Sequence, residues 1–171
     1  MPSAKTDVGC LDWLDIREVA DGKRYAEPMF QRCYRQAAPD FPLHVLAFSL
    51  SSHADPVPAC YIHFSDSGEY LLGGGACVDT RVLRRMLPTH RAALRAMGGL
   101  YAVTLQWSLR HFGSRYRAIF GYCGDALAER VDLAAGFERT VHPHLHAYWA
   151  QPLTSSERAE LIVQAHSKGP F

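Results

Sequence analysis

The stretch from Arg117 to Trp149, RAIFGYCGDALAERVDLAAGFERTVHPHLHAYW, constrains the fold more than any other. Ala118, Ile119, Phe120, Tyr122 and Cys123 form a short apolar run interrupted only by Gly121. The run is too short for a helix and rich in aromatic and branched residues, so it reads as a buried strand. Gly124-Asp125 breaks it, and the Asp125 carboxylate suits an N-cap because it accepts from the free amides of the next turn. Ala128, Val131, Leu133 and Ala134 then recur at helical offsets, with Glu129 and Arg130 pointing elsewhere. Gly136 supplies the left-handed residue that ends a helix, and Phe137 anchors the exit. From Thr140 to Trp149, polar His142, His144 and His146 alternate with Val141, Pro143, Leu145 and Ala147, a period of two that predicts a strand. Pro143 donates no ladder hydrogen bond and so marks a turn, bulge or edge.

The rest of the chain supplies the partners for this unit. Residues 1–10 are loose and polar. Strands are predicted over 14–19, 44–50, 58–64 and 69–78, the last with Gly73-Gly74-Gly75 inside it, where glycines imply a bulge or a ligand's close approach. Ser51–Asp55 and Ser65–Gly68 read as turns between them. Residues 22–37 carry helical spacing around an awkward Pro28, giving one kinked helix or two short ones. Arg81–Met97 is basic and partly helical, with Pro88-Thr89 as a start. Leu100–Phe112 is an amphipathic helix with Trp107 and Phe112 as core, and Ser155 or Ser156 caps a final helix. The order predicts an α/β protein with a mixed, mostly antiparallel sheet flanked by helices. All 171 residues fall into one expected domain, with a core over about 14–150 and a C-terminal helix over about 155–167.

Composition excludes several classes. A hydrophobic share of 48% supports a full core, and a net charge of +1 predicts no nucleic-acid partner and no membrane attachment. The start of the chain lacks the apolar segment of a secretory signal, and no apolar run is long enough to span a bilayer. The five cysteines are scattered without a CxxC pair, so reduced thiols in a cytoplasm are expected and no cysteine metal knuckle is predicted.

In element order, the chain resembles the GNAT superfamily of acyl-CoA-dependent N-acyltransferases, over roughly residues 14–150. RAMGGL (Arg95–Leu100) is the nearest match to the family's pyrophosphate motif Q/R-x-x-G-x-G/A, with Leu100 departing at the last place. The segment from Val78 to Arg95 is longer than the family's usual link. Asp125, Ala128 and Val131, then Gly136-Phe137, parallel the downstream family pattern, and Asp132 stands where many members carry a tyrosine acid. The resemblance implies a GNAT-like fold and acyl transfer, acetyl first among the acyl groups, from acyl-CoA to an amine of a small molecule or peptide. It also allows a homodimer. Its rival is a module of the same fold, catalytically degenerate, that only binds a ligand.

On that resemblance, acyl-CoA lies in a splay between the fourth and fifth strands. Cys77 and Val78 flank it on one side, with Arg95, Gly98, Gly99 and Leu100 at the phosphates. The chemistry is attack of an amine on a thioester, which needs a proton acceptor for nitrogen and a donor for sulfur. Candidates are Tyr122 and Cys123, which alternate across the strand, and His144 from the histidine set. Against these roles stand a buried, inert Cys123 and structural or solvated histidines. A metal on His142, His144 and His146 is the weakest alternative, since no Asp or Glu accompanies them, and none is predicted. The basic run Arg81, Arg84, Arg85, His90, Arg91, Arg95 divides evenly between phosphate contact and a solvated helix face.

Overall fold

A computed structural model describes residues 11–51 and 54–171. Residues 1–10 lie outside them, as do residues 52–53 of the turn expected over Ser51–Asp55; Ser51 ends a strand and Ala54 and Asp55 begin the next. The elements in chain order are β1 (Leu14–Val19), α1 (Gly22–Tyr34), β2 (Leu43–Ser51), β3 (Ala54–Asp66), β4 (Tyr70–Val78), α2 (Thr80–Arg85), α3 (Pro88–Ala96), α4 (Leu100–Gly113), β5 (Ala118–Tyr122), α5 (Ala126–Ala135), β6 (Glu138–Arg139), β7 (Leu145–Trp149) and α6 (Ser155–Ser167). The strands form one sheet in the order β1-β2-β3-β4-β5-β7-β6. β4 and β5 pair in parallel, while the other neighbours are antiparallel.

Strand alternation decides which helix covers which face. Val45 and Ala47 of β2, Cys60, Ile62 and Phe64 of β3, Leu71 of β4 and Ile119 of β5 pack on the face covered by α3 and α4, with Leu94, Leu100, Val103, Leu105, Leu109 and Phe112. The intervening residues turn the other way. Leu46, Phe48, Tyr61 and Cys77 meet Ala26, Met29 and Phe30 of α1. Leu72, Phe120, Leu145 and Ala147 meet Leu161 and Ala165 of α6. Each inward alternation buries one more apolar side chain, at roughly 25 cal/mol per Å² of apolar surface.

The feature that shapes the sheet is a bulge. Ile62 faces Ala76 but Phe64 faces Gly73, so Gly74 and Gly75 together stand opposite the single residue His63. His63 is 3% exposed and stacks on Phe41 at 3.9 Å between centroids. Its Nε2 accepts from the Gly75 amide at 2.8 Å, which fixes the extra residue. A Cβ on Gly74 would fall 2.1 Å from that nitrogen, so only glycine fits there. Beyond the bulge β4 leaves β5: the parallel pairing ends at Gly73↔Gly121.

Of the two readings of residues 22–37, the single helix with Pro28 inside it is the one observed. Other local expectations are corrected. β3 runs well past both ends of its predicted span. The cap of α6 is Thr154, not Ser155 or Ser156, and it forms a reciprocal capping box with Glu157. Of the predicted strand from Thr140 to Trp149 only Leu145–Trp149 is strand, as β7; residues 140–144 form the turn that joins it to β6. Thr140 Oγ1 donates to the Leu145 carbonyl and accepts from the His142 amide, and His144 adopts a left-handed φ of 68°. The hydroxyl and the left-handed residue close the turn that Pro143 begins. Glu129 does not point away: its carboxylate meets His146 at 3.3 Å and Arg139 at 3.0 Å.

Burial without a partner for Nδ1 pushes the His63 imidazole down from 6.5 to about 4, with His44 adding to the shift. The folded state therefore holds this proton less tightly than the unfolded chain. The stability from neutral His63 is complete above pH 6.5 and is lost as pH falls from there toward 4, by on the order of 3 kcal/mol. We expect urea denaturation at pH 7.5 and pH 4.5 to show that loss, and His63→Asn, which can still accept from Gly75, to reduce it. An unchanged difference in the variant would contradict the assignment.

Candidate active site

The separation of β4 from β5 opens a cavity of about 620 Å³. Gly73–Ala76 and Val78 form one wall and Gly121–Asp125 the other. Gly98, Gly99, Leu100 and Tyr101 close one end, where α4 begins, and Val131, Asp132 and Phe137 line the α5 side. Tyr34 reaches in from α1, donating its hydroxyl to the Ala76 carbonyl at 2.8 Å.

The start of α4 has an unusual form. Gly98 and Gly99 both take positive φ, 88° and 104°, which side chains rarely adopt. The Gly99 amide turns back to the Leu94 carbonyl at 2.7 Å and closes α3. No side chain caps α4 and no acid stands in its first turn. Its first amides and the positive end of its dipole therefore face the cavity, an arrangement suited to an anion.

From the same turn of α4, Tyr101 meets Asp132 of α5. The Tyr101 hydroxyl donates to Asp132 Oδ1 at 2.9 Å. Asp132 is 5% exposed, and burial pushes its carboxyl up to about 6 despite that hydrogen bond. Burial and the adjacent carboxylate together push the Tyr101 phenol well above its usual range.

The residues predicted for the site divide into two groups. Val78, Gly98, Gly99, Leu100, Tyr122 and Cys123 line the cavity. Cys77, Arg95 and His144 do not. Cys77 alternates to the α1 face, where it packs with Met29, Phe30 and Tyr61. Arg95 is exposed on α3, three residues before the glycines. His144 stands in the β6–β7 turn, its Nδ1 against the Cys123 carbonyl at 3.0 Å. The three histidines also fail to share a face. His142 stacks on His166 of α6 at 3.6 Å, His144 is exposed, and His146 is buried against Glu129. Among the described residues no group of three or more His, Cys, Asp or Glu side chains converges in a metal-binding arrangement.

Tyr34, Tyr101 and Asp132 were not predicted to face the cavity. For Asp132 the signal was present: it lies four residues after Ala128 and three before Ala135, on the apolar stripe of α5. A carboxylate there is either buried with a partner or out of place. The identity of that partner, 31 residues away, is a tertiary fact.

Neither a protein-family model nor a curated protein matches the chain. Solved structures do. Ribosomal-protein-S18-alanine N-acetyltransferase from Escherichia coli aligns with a TM-score of 0.56 at 12% identity, covering 83% of this chain and 97% of that one. The chain has the GNAT fold. YhhK from E. coli bound to coenzyme A aligns with a TM-score of 0.53 at 14% identity, over 80% of this chain and 98% of that one. The AtaT toxin bound to the C-terminus of its antitoxin AtaR and acetyl-CoA aligns at 0.50 and 13%, over 89% and 99%. At such identities the likeness establishes the fold and leaves the chemistry to the site.

The expectation of no nucleic-acid partner is withdrawn. The matching AtaT structure holds a macromolecular partner, the C-terminus of its antitoxin, which an expectation of substrate partners alone did not allow for. A net charge of +1 averages over an uneven molecule: no Asp or Glu occurs from residue 80 through residue 124, where α2 and α3 present Arg81, Arg84, Arg85, Arg91 and Arg95. Among the described residues no helix is long and apolar enough to cross a membrane.

The cysteines supply a direct check on the site's exposure. Cys33 is exposed, Cys60 and Cys77 are buried, and the half-buried Cys123 donates to the Asp125 carbonyl at 3.3 Å, its thiol pushed up by burial. Limited alkylation with iodoacetamide followed by peptide mapping is expected to label Cys33 before these other three. Faster labelling of Cys123 would mean a thiolate that this geometry does not support.

Proposed function

We propose that the protein is an acyl-CoA-dependent N-acyltransferase, moving an acetyl or related acyl group to an amine on a small molecule or peptide. The observation that carries this reading is the junction of the β4–β5 splay with the uncapped, diglycine-led start of α4. A thioester with a phosphorylated tail needs a narrow apolar slot for the acyl and pantetheine end. It needs an anion site at the other end. The splay offers Gly73–Ala76 and Val78 opposite Gly121–Cys123 for the first. The amides of α4, after Gly98 and Gly99, offer the second. The fold neighbours bound to coenzyme A or acetyl-CoA support the same reading.

In this reading Val78, Gly98, Gly99 and Leu100 contact the cosubstrate, while Arg95 supplies charge at the mouth. The acceptor amine enters from the side of α1, where Tyr34 lines the cavity. The amine nitrogen attacks the thioester carbon, the C–N bond forms and the C–S bond breaks. No covalent enzyme intermediate is needed. Cys123 is a poor candidate for one, with its thiol pushed up by burial.

A side chain at Gly98 would force a left-handed conformation and bring its Cβ to 3.2 Å from the Ala102 Cβ. Gly98→Val is expected to weaken acetyl-CoA binding by tenfold or more, roughly 1.4 kcal/mol, in isothermal calorimetry. Cys123→Ala is expected to leave that affinity within a few-fold. Absence of measurable acetyl-CoA binding by the unmodified protein would overturn the reading.

A further inference from the structure

Resting on the acyl-transfer function proposed above, we infer that the Asp132 carboxylate, held by the Tyr101 hydroxyl, carries the proton from the attacking amine nitrogen to the departing sulfur. Two carboxylates line the cavity, Asp125 and Asp132. Asp125 is committed: it is exposed and accepts from the Leu127 and Ala128 amides as the cap of α5. Asp132 spends only Oδ1, on Tyr101, and Oδ2 accepts no hydrogen bond among the described residues. That second oxygen looks toward the point where β4 and β5 part. A Cβ placed on Gly121, the last β5 residue paired with β4, would stand 3.7 Å from it. The missing side chain at Gly121 is what leaves the carboxylate open to the splay.

The other candidates are placed differently. The Cys123 thiol donates to a backbone carbonyl, His144 lies outside the cavity, and the Tyr122 ring packs on Phe171 with the α6-face cluster. The surroundings of Asp132 are also defined. Tyr101 faces it from α4, Cys123 from the end of β5 and Glu129 from its own helix. Glu129 is in turn bound to His146 of β7 and Arg139 of β6, and Cys60 of β3 lies on the far side of Tyr101. With its carboxyl near 6, Asp132 is mostly ionised at neutral pH and begins the cycle as an acceptor.

The proton balance closes on one group. Attack by the amine forms the C–N bond and leaves an ammonium on the tetrahedral adduct. Asp132 takes one N–H proton. Collapse breaks the C–S bond, the electron pair goes to sulfur, and Asp132 returns the proton as the thiol leaves. Tyr101 keeps its proton throughout and holds the carboxylate in place, so it is a positioning residue.

The test compares affinities for coenzyme A and acetyl-CoA by calorimetry from pH 5 to pH 8. Free coenzyme A offers an S–H donor to the ionised carboxylate, and acetyl-CoA does not. The preference for coenzyme A should rise several-fold with pH through about 6 in the unmodified protein. It should be flat in Asp132→Asn. In Tyr101→Phe the midpoint should move to higher pH, since the hydrogen bond that favours the charged form is gone. Thiol release from acetyl-CoA with n-propylamine as probe should fall by about 10²- to 10⁴-fold in Asp132→Asn. A flat preference in the unmodified protein, or an unaltered profile or rate in Asp132→Asn, overturns the proposal while acetyl-CoA binding keeps the function. If neither ligand binds the unmodified protein, the function falls and this role falls with it. If Asp132→Asn fails to fold, the Tyr101→Phe midpoint decides alone.

Discussion

The hydrogen bond from the Gly75 amide to His63 Nε2 is the interaction on which the architecture of the site depends. It holds an extra residue in β4, and that residue turns the strand away from β5 after Gly73. Without the bulge the parallel pair would continue and the cavity would be filled by ladder. The clamp needs a neutral, buried ring with no side chain beneath it. Phe41 covers the ring, burial keeps it uncharged, and Gly74 leaves the space. A protonated His63 would turn its acceptor into a donor and confront the Gly75 N–H with another N–H.

The cavity then joins two environments. The first turn of α4 presents backbone amides and carries no acid of its own. Its second residue, Tyr101, reaches Asp132 of α5, where burial and the phenol hold a carboxylate that is mostly ionised at neutral pH.

Much of the fold was legible in the sequence because it rests on local signals. Asp125 caps α5 and Gly136 ends it with a φ of 107°, as their chemistry requires. The short apolar run of β5 was legible as a buried strand, and Gly73–Gly75 marked a bulge or a close approach, of which the bulge is observed. The histidine strand failed because alternation in sequence carries no information about a turn. His144 in a left-handed conformation breaks the register that Leu145–Trp149 then resumes. Arg95 and Cys77 were placed from motif position, but helix phase turns the first outward and strand parity turns the second to the other face. Tyr101 and Asp132 were missed for a different reason. Each was visible as a residue, but their meeting depends on how α4 packs on α5. The basic run over α2 and α3 was visible, but the expectation about partners rested on the net charge, and a net charge near zero says nothing about where the charges lie.

The central claim is that the β4–β5 splay and the start of α4 form one acyl-CoA site. An amide-resolved NMR titration of the full chain with coenzyme A tests it most directly. The account predicts saturable shifts at Gly74–Val78, at Gly98–Tyr101 and at Gly121–Gly124, following one binding curve. Shifts confined to the groove lined by Asp12, Trp13, Arg85 and His90, or none at all, would contradict it.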